Sequence, residues 1–183
     1  MRRREGRSCA CLTSGLKNAA GFVKGHVIML QEPKSPSDVA ASLAEAERRC
    51  ARHGARLTPG RRRTLEILLE AGKPLGAYEV LEKLAADGFG AQPPVAYRAL
   101  DFLIEHGLVH RVRKLNAFTA CAHPDAAHSA AFLICRLCGT VAETFAEPKR
   151  GALGRAAREI GFEIERTIVE AEGVCAGCRT AAA

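Results

Sequence analysis

Two C-x-x-C pairs constrain the fold of this chain more than any other feature of its sequence. The pairs are Cys135 with Cys138 and Cys175 with Cys178. Four thiolates at this spacing are the set that closes a tetrahedral zinc site, so the two segments are expected to meet in space. The 36 residues between the pairs have room for a helix and a strand. A bound ion would therefore join the beginning of a small domain to its end.

Two disulfides or incidental core cysteines are alternative interpretations of the same spacing. Disulfides are typical of secreted chains. The basic N-terminus is not followed by the continuous apolar segment of a secretory signal, since Lys17, Asn18 and Lys24 interrupt it. A thioredoxin-like dithiol would need a βαβ context that the sequence lacks. We therefore expect a cytoplasmic protein with a closed structural zinc site, and the absence of a long uncharged apolar window predicts no membrane span.

The net charge of +7 is unevenly distributed along the 183 residues. Residues 1–118 carry 20 basic and 12 acidic side chains, whereas residues 119–183 carry 7 and 8. A basic front part with a neutral rear part indicates binding to a polyanion, most commonly nucleic acid.

Hydrophobic periodicity divides the chain into three segments. Residues 1–36 mix Arg, Gly, Ser and Pro without a period and are expected to be a disordered extension, with Met29 as a hypothetical true start. Residues 37–121 show four helical patterns and a period-two hairpin, typical of a winged helix-turn-helix DNA-binding domain. Residues 122–183 are expected to form a small α/β dimerisation domain, which makes the fold class α+β. In this last segment we expect strands over 132–135 and 140–143, a helix over 148–160 and a strand over 163–170.

The fourth predicted helix is the candidate recognition helix. Its apolar stripe includes Val95, Ala99 and Leu103, and this leaves Tyr97 and Arg98 on another face. The N-terminal end of a recognition helix enters the major groove of DNA, where an Arg can pair with guanine. An ordinary solvated helix face is the alternative interpretation.

A second group of candidate metal ligands surrounds the predicted hairpin. His110 and Cys121 are symmetric about its turn and are therefore predicted to be cross-strand partners, with Cβ atoms about 4.5 to 5.5 Å apart. His128 and Glu143 complete a mixed nitrogen, sulfur and oxygen set that suits zinc. His123 is an alternative to His128. Each of these residues taken alone is more often a solvated side chain.

Four sequence runs, together with Glu143, carry a family resemblance. They are Pro93-Pro-Val-Ala-Tyr97-Arg98-Ala-Leu-Asp101-Phe, Gly107-Leu-Val-His110, Asn116-Ala-Phe-Thr-Ala-Cys121 and Phe132-Leu-Ile-Cys135-Arg-Leu-Cys138-Gly. In this combination the chain resembles the ferric uptake regulator family, and in particular its zinc uptake regulator branch, over about residues 37–180.

The resemblance implies a homodimeric, zinc-dependent repressor of zinc uptake genes that binds double-stranded operator DNA and is not an enzyme. It implies two zinc ions per subunit and neither a membrane nor a small-molecule substrate as a partner. The implied structural zinc ligands are Cys135, Cys138, Cys175 and Cys178. The implied regulatory zinc ligands are His110, Cys121, His128 and Glu143. The implied DNA contacts are Tyr97, Arg98 and Tyr78.

The chain departs from the family pattern at two places. Val95-Ala96 replaces the usual Thr-Val and so lacks a hydroxyl that could cap the helix or touch a phosphate. The His-rich stretch typical of the iron-sensing branch is replaced by residues 122–128, which favours zinc over iron and leaves the choice between His123 and His128 open. A sensor of iron, manganese or peroxide is the alternative function within the family. A zinc hydrolase is disfavoured, because four protein ligands leave no open position and H-E-x-x-H is absent.

Overall fold

The computed structural model describes residues 21–23, 26–30, 33–124, 129–146, 149–165 and 167–180. The helices are α1 (Pro36–Arg52), α2 (Pro59–Ala71), α3 (Ala77–Ala86), α4 (Pro93–Glu105), α5 (Ala152–Glu159) and α6 (Ala176–Thr180). The strands are β1 (Gly21–Val23), β2 (His26–Leu30), β3 (Leu75–Gly76), β4 (Val109–Val112), β5 (Ala117–Ala120), β6 (Ser129–Cys135), β7 (Val141–Ala146) and β8 (Val169–Gly173). Within these ranges, the helices fall short of the length and apolar character that crossing a membrane requires.

The front part of the chain is a winged helix. Helices α1 to α4 enclose one apolar core, and strands β3, β5 and β4 form a small sheet beside it in that order. The α1 side chains that enter this core recur at helical spacing. They are Val39, Leu43, Ala46 and Cys50.

The buried face of α4 differs from the predicted stripe. Ala99 and Leu103 are buried as expected, but Val95 is only half-buried, whereas Ala96 and Leu100 are fully enclosed. The reason is that α2 and α3 both pack against α4, so the covered face is centred between two neighbours. Gly107 ends the helix with φ 66°, a left-handed conformation that favours glycine.

The wing is the hairpin of β4 and β5, and its register differs from the prediction. Residues 113–116 form the turn, in which Asn116 adopts φ 47°. His110 therefore lies opposite Thr119 rather than opposite Cys121, so the predicted cross-strand pair is wrong. Because Cys121 lies two positions beyond Thr119, it is a diagonal neighbour of His110 on the same face.

The rear part contains a five-stranded sheet in the order β1, β2, β7, β6 and β8. Strands β6 and β8 are parallel, and the other pairs are antiparallel. α5 is shorter than the helix predicted over 148–160, and β8 begins at Val169 rather than at residue 163. The pairing of Cys135 with Gly173 sets this register, because it brings the two C-x-x-C segments together at one end of the sheet.

Strands β1 and β2 lie inside the segment predicted as a disordered extension. β2 pairs antiparallel with β7, and Met29 is opposite Glu143. For residues 21–23 and 26–30 the prediction is therefore wrong, since the apolar, β-prone sequence of β2 finds backbone partners on the edge of β7. Residues 1–20 lie outside the described ranges, and the domain boundaries at 37–121 and 122–183 stay predictions.

The wing packs against the rear sheet. Val112 of β4 is fully buried in a second apolar cluster whose other members belong to the rear sheet. These members are Phe132, Ile134 and Val141, with Ala130 packed beside them. The last strand before the wing turn is therefore anchored in the rear part of the molecule, and this contact positions the site described next.

Candidate metal centres and DNA-binding surface

Among the residues that the structure describes, one group of potential metal ligands comprises the four cysteines of the C-x-x-C pairs. Their sulfur atoms all lie within 4.8 Å of one another, and Cys138 Sγ is 3.7 Å from Cys175 Sγ. A zinc–sulfur bond of about 2.3 Å gives a tetrahedral edge of about 3.8 Å. A disulfide requires about 2.05 Å. The spacing therefore fits a shared metal ion and not two disulfides.

The turn after β6 prepares Cys135 to be a thiolate. Burial opposes ionisation, but backbone N–H groups of Cys175, Cys138 and Leu137 point at its sulfur and lower the pKa of Cys135 to about 6. The Cys175 N–H lies 3.4 Å from this sulfur. Gly139, with φ 74°, closes the turn by donating its N–H to the Cys135 carbonyl. Because a thiolate is the form that binds zinc, Cys135 carries ligand charge at neutral pH. The Cys178 N–H favours a Cys175 thiolate, but burial and the neighbouring Cys135 and Cys138 outweigh it and raise the pKa of Cys175.

A second group of potential ligands lies between the wing and the rear sheet. It comprises His110 of β4, Cys121 just after β5 and Glu143 of β7, with all ligand atoms within 4.8 Å. His110 Nε2 is 3.4 Å and Cys121 Sγ is 3.9 Å from Glu143 Oε1. Bond lengths of zinc to N, O and S give tetrahedral edges of about 3.3 to 3.6 Å, so only small shifts separate this group from a zinc geometry.

Burial controls the charge state of this second site. The Glu143 side chain is 2% exposed and accepts a hydrogen bond from the backbone N–H of Ala122 at 3.1 Å. Burial, and then the charge of Glu143, raise the pKa of Cys121 to about 12. Cys121 is therefore a thiol at neutral pH, and it must lose its proton when a metal binds.

The fourth predicted ligand of this site is either His123 or His128, and the choice between them stays open. His128 lies outside the described residues. The backbone N–H of His123 points at the Cys121 sulfur, and the His123 ring lies 4.9 Å from the ring of Phe145. His123 is thus next to the site without belonging to the group of three converging ligands.

Arg49 links the second site to the DNA-binding helices, and sequence reasoning missed it. Its Nε donates to the carbonyl of His106 at the end of α4, at 2.9 Å, and its Nη1 donates to the carbonyl of Pro124. Pro124 follows Cys121 in the loop that leaves the wing. No sequence motif could reveal these contacts, since they join positions 57 and 75 residues apart.

The predicted DNA contacts are exposed side chains of α3 and α4. Tyr97 is 43% and Tyr78 65% exposed, and Arg98 is exposed beside Tyr97 near the start of α4. Tyrosine side chains are commonly half-buried in folded proteins. The large exposed surface of Tyr97 and Tyr78 is therefore unusual. Their role as DNA contacts stays a prediction.

Comparison with known proteins identifies the family. Residues 52–171 match the sequence profile of the ferric uptake regulator family. This chain belongs to that family. It is 39% identical over 137 residues to the zinc uptake regulation protein of Escherichia coli strain K12, which covers 74% of this chain and 80% of that protein. The zinc uptake regulation protein of Shigella flexneri gives the same values.

Solved structures similar to this member of the ferric uptake regulator family include two zinc uptake regulators. One is a zinc uptake regulator complexed with zinc and DNA, with a TM-score of 0.74 and 36% identity, covering 81% of this chain and 99% of that one. The other is holo XcZur, with a TM-score of 0.68 and 40% identity, covering 78% of this chain and 99% of that one.

Proposed function

We propose that this chain is a zinc-responsive transcriptional repressor that binds operator DNA as a homodimer and represses zinc uptake genes. One observation carries the proposal: His110 and Cys121 of the wing converge with Glu143 of the rear sheet in a protein with an exposed recognition helix. The names of its relatives support the proposal, since they include zinc uptake regulation proteins and a regulator complexed with zinc and DNA.

Two zinc sites per subunit follow from the two ligand groups. The four cysteines would hold a structural ion, since they form a closed set of thiolates. His110, Cys121 and Glu143 would hold a regulatory ion together with His123 or His128. When bound there, zinc supplies strong bonds between ligands that belong to different parts of the fold. A thiolate among these ligands favours zinc over manganese, which prefers oxygen ligands. The names of the relatives favour zinc over the iron and peroxide alternatives.

The chain's own connections support a mechanism by which this site would govern DNA binding. α4 ends at Glu105 and leads through Gly107 into β4, which carries His110. Arg49 holds the end of α4 to the loop that follows Cys121. Fixing His110 and Cys121 to Glu143 therefore fixes α4 relative to the rear part. In a dimer this selects the arrangement in which both recognition helices match two half-sites.

A zinc titration of DNA binding tests the proposal directly. A duplex selected from a random-sequence pool by the zinc-loaded protein serves as the probe. We expect zinc to strengthen wild-type binding by about 5- to 150-fold, the usual scale of allosteric coupling. Cys121→Ser should keep one zinc per subunit, and added zinc should not strengthen its binding to the probe.

Cys50→Ala is the matched control, because Cys50 is a buried cysteine of α1 outside both ligand groups. It should keep two zinc ions and the zinc response. An unchanged zinc response in Cys121→Ser would remove this residue from the regulatory site, and a wild-type protein without any zinc response would overturn the proposal.

The role of Arg98 in reading sequence is tested by discrimination between duplexes. Arg98→Ala should reduce the preference for the selected duplex over a scrambled one by about 1 to 3 kcal/mol, because an Arg reads a guanine edge by two hydrogen bonds. Arg62→Ala, which removes an exposed arginine of α2, should weaken both duplexes equally or not at all. Equal losses in the two Arg98→Ala titrations would make Arg98 a phosphate contact only.

A further inference from the structure

One row of the rear sheet carries two carboxylates that face the wing. Phe132 of β6 is the register partner of Glu143 on β7 and of Glu170 on β8. Register partners point to the same face of a sheet, and neighbouring strands are about 4.8 Å apart. Glu143 and Glu170 therefore lie on the same face, about 10 Å apart at the backbone.

Glu170 contacts the tip of the wing. Its Oε1 accepts the backbone N–H of Arg113 at 2.6 Å, and its Oε2 accepts the backbone N–H of Lys114 at 2.8 Å. Hydrogen bonds to an ionised carboxylate are about twice as strong as bonds between neutral groups. The neighbouring Glu172 contacts the same turn differently, through an exposed ion pair of 3.2 Å with the Lys114 side chain.

The strand between these two contacts is held by packing. Val112 is fully buried against Phe132 and Ile134, and the His110 ring meets the Phe132 ring edge-on at 5.8 Å. Residues of one row of the rear sheet therefore contact the wing at both of its ends. Its base lies at Glu143, in the metal site, and its tip is held by Glu170.

We propose that Glu170 is a positioning residue that holds the wing tip on the rear sheet, so that the regulatory ligands are assembled before zinc arrives. This inference rests on the proposed function. A site that is assembled for only a fraction of the time binds its ligand more weakly by that fraction. Releasing the tip lets β4 and β5 move away from β7, and His110 and Cys121 then leave Glu143.

The exposure of the turn separates this role from a purely structural one. Arg113 and Lys114 are exposed, so water can bond their N–H groups when the carboxylate is removed. The fold should therefore survive the substitution while the attachment of the tip is lost. Zinc affinity at the regulatory site is the property that a structural hydrogen bond alone would not change.

The test uses the full chain with its structural zinc in place. Glu170→Ala removes both acceptors, and Glu170→Gln keeps one acceptor without the charge. Glu172→Gln is the matched control on the same strand, since an exposed ion pair contributes little. Binding of the second zinc is measured by competition with a chromophoric chelator, and hydrogen exchange is measured for the segment containing residues 109–120 in protein carrying only the structural ion.

We expect Glu170→Ala to weaken the second zinc by about tenfold, Glu170→Gln to fall between it and wild type, and Glu172→Gln to match wild type. Hydrogen exchange at the wing tip should be slowest in wild type and Glu172→Gln, faster in Glu170→Gln and fastest in Glu170→Ala. Wild-type zinc affinity in both Glu170 variants would overturn the proposal. If Glu170→Ala does not fold, Glu170→Gln alone tests the proposal. Weakened affinity for the second zinc supports it, and unchanged affinity overturns it. Failure of the proposed function is distinguishable, because wild type itself would then lack the second zinc or its effect on DNA binding.

Discussion

The two candidate metal sites of this molecule differ in the charge state of one cysteine in each, Cys135 and Cys121. Backbone N–H groups surround Cys135 and lower its pKa to about 6, whereas burial and the charge of Glu143 raise the pKa of Cys121 to about 12. The first sulfur is negative at neutral pH before any ion binds. The second must lose its proton before it can bind a metal ion. Because the proton and the metal compete for the same sulfur, metal binding there is weaker.

This difference agrees with the two roles proposed for the ions, one structural and one sensed. The four-cysteine cluster ties the end of β6 to α6, where Cys178 is buried, and so closes the rear domain. The hairpin site takes its ligands from the wing and from β7, which belong to different parts of the fold. A tightly held ion suits the first role, and a weaker, reversible one suits the second.

The largest effect is expected from removing a ligand of the cluster. Cys138→Ser should abolish tight binding of the structural ion, which in small zinc domains is worth roughly 10 to 16 kcal/mol of folding free energy at pH 7. We expect loss of the cooperative thermal transition of the rear part and a zinc content below one ion per subunit. Circular dichroism and elemental analysis measure both.

Cys121→Ser is the comparison that sharpens this result. It should retain the thermal transition and one ion per subunit, because Cys121 is not part of the cluster. Similar losses of folding in the two variants would remove the distinction between a structural and a sensed ion.

The next effect is a pH dependence of the second zinc. With a pKa of about 12, the Cys121 thiol is protonated throughout the range from pH 7 to 8.5, and zinc must displace this proton. Binding therefore strengthens as pH rises, by about tenfold per pH unit for one released proton. Competition titrations with a chelator at several pH values measure this slope.

A His in place of Cys121 provides the control for the pH slope. Cys121→His keeps a metal ligand, but a neutral imidazole has no proton to lose from its binding nitrogen above about pH 7. Its slope should be flat where that of wild type is steep. A flat wild-type slope would show that Cys121 is already ionised or does not bind the metal.

The smallest effect is expected at Arg49, which contacts the end of α4 and the loop that follows Cys121. Its positive charge helps to lower the pKa of Cys121, and its guanidinium holds the loop at Pro124. Arg49→Ala should weaken the second zinc by about two- to fivefold, with the cluster unaffected, since charge contributions across a partly exposed site are modest. Arg48→Ala is the control, because Arg48 is an exposed arginine of α1 that pairs with Glu45 of the same helix. Equal zinc affinities in the two variants would leave Arg49 without a role at the site.

Local patterns in the sequence predict much of this molecule. Helical spacing identifies the buried stripe of α1, since four apolar positions on one face are enough to define it. The C-x-x-C pairs predict the four-cysteine cluster, because its ligands need no information beyond spacing and thiolate chemistry. The association of His110, Cys121 and Glu143 could also be predicted, although the reason given for it required the wrong register.

Contacts between distant segments could not be predicted. The turn at residues 113–116 is centred one residue earlier than a pair of His110 with Cys121 requires, so Cys121 is a diagonal neighbour of His110 and not its partner. Strand β2 could not be predicted, because its segment has no clear period. Its partner β7 lies more than 100 residues further along the chain.

The sequence by itself determined which residues can hold zinc, since ligand chemistry and local spacing are properties of the residues. Only the tertiary structure decided that Glu143 and Glu170 share one row of the rear sheet and hold the wing at its base and at its tip. The physical reason is that strand register and the placement of the wing both depend on contacts between distant segments, such as the packing of Val112 against Phe132 and Ile134. No local pattern encodes that packing.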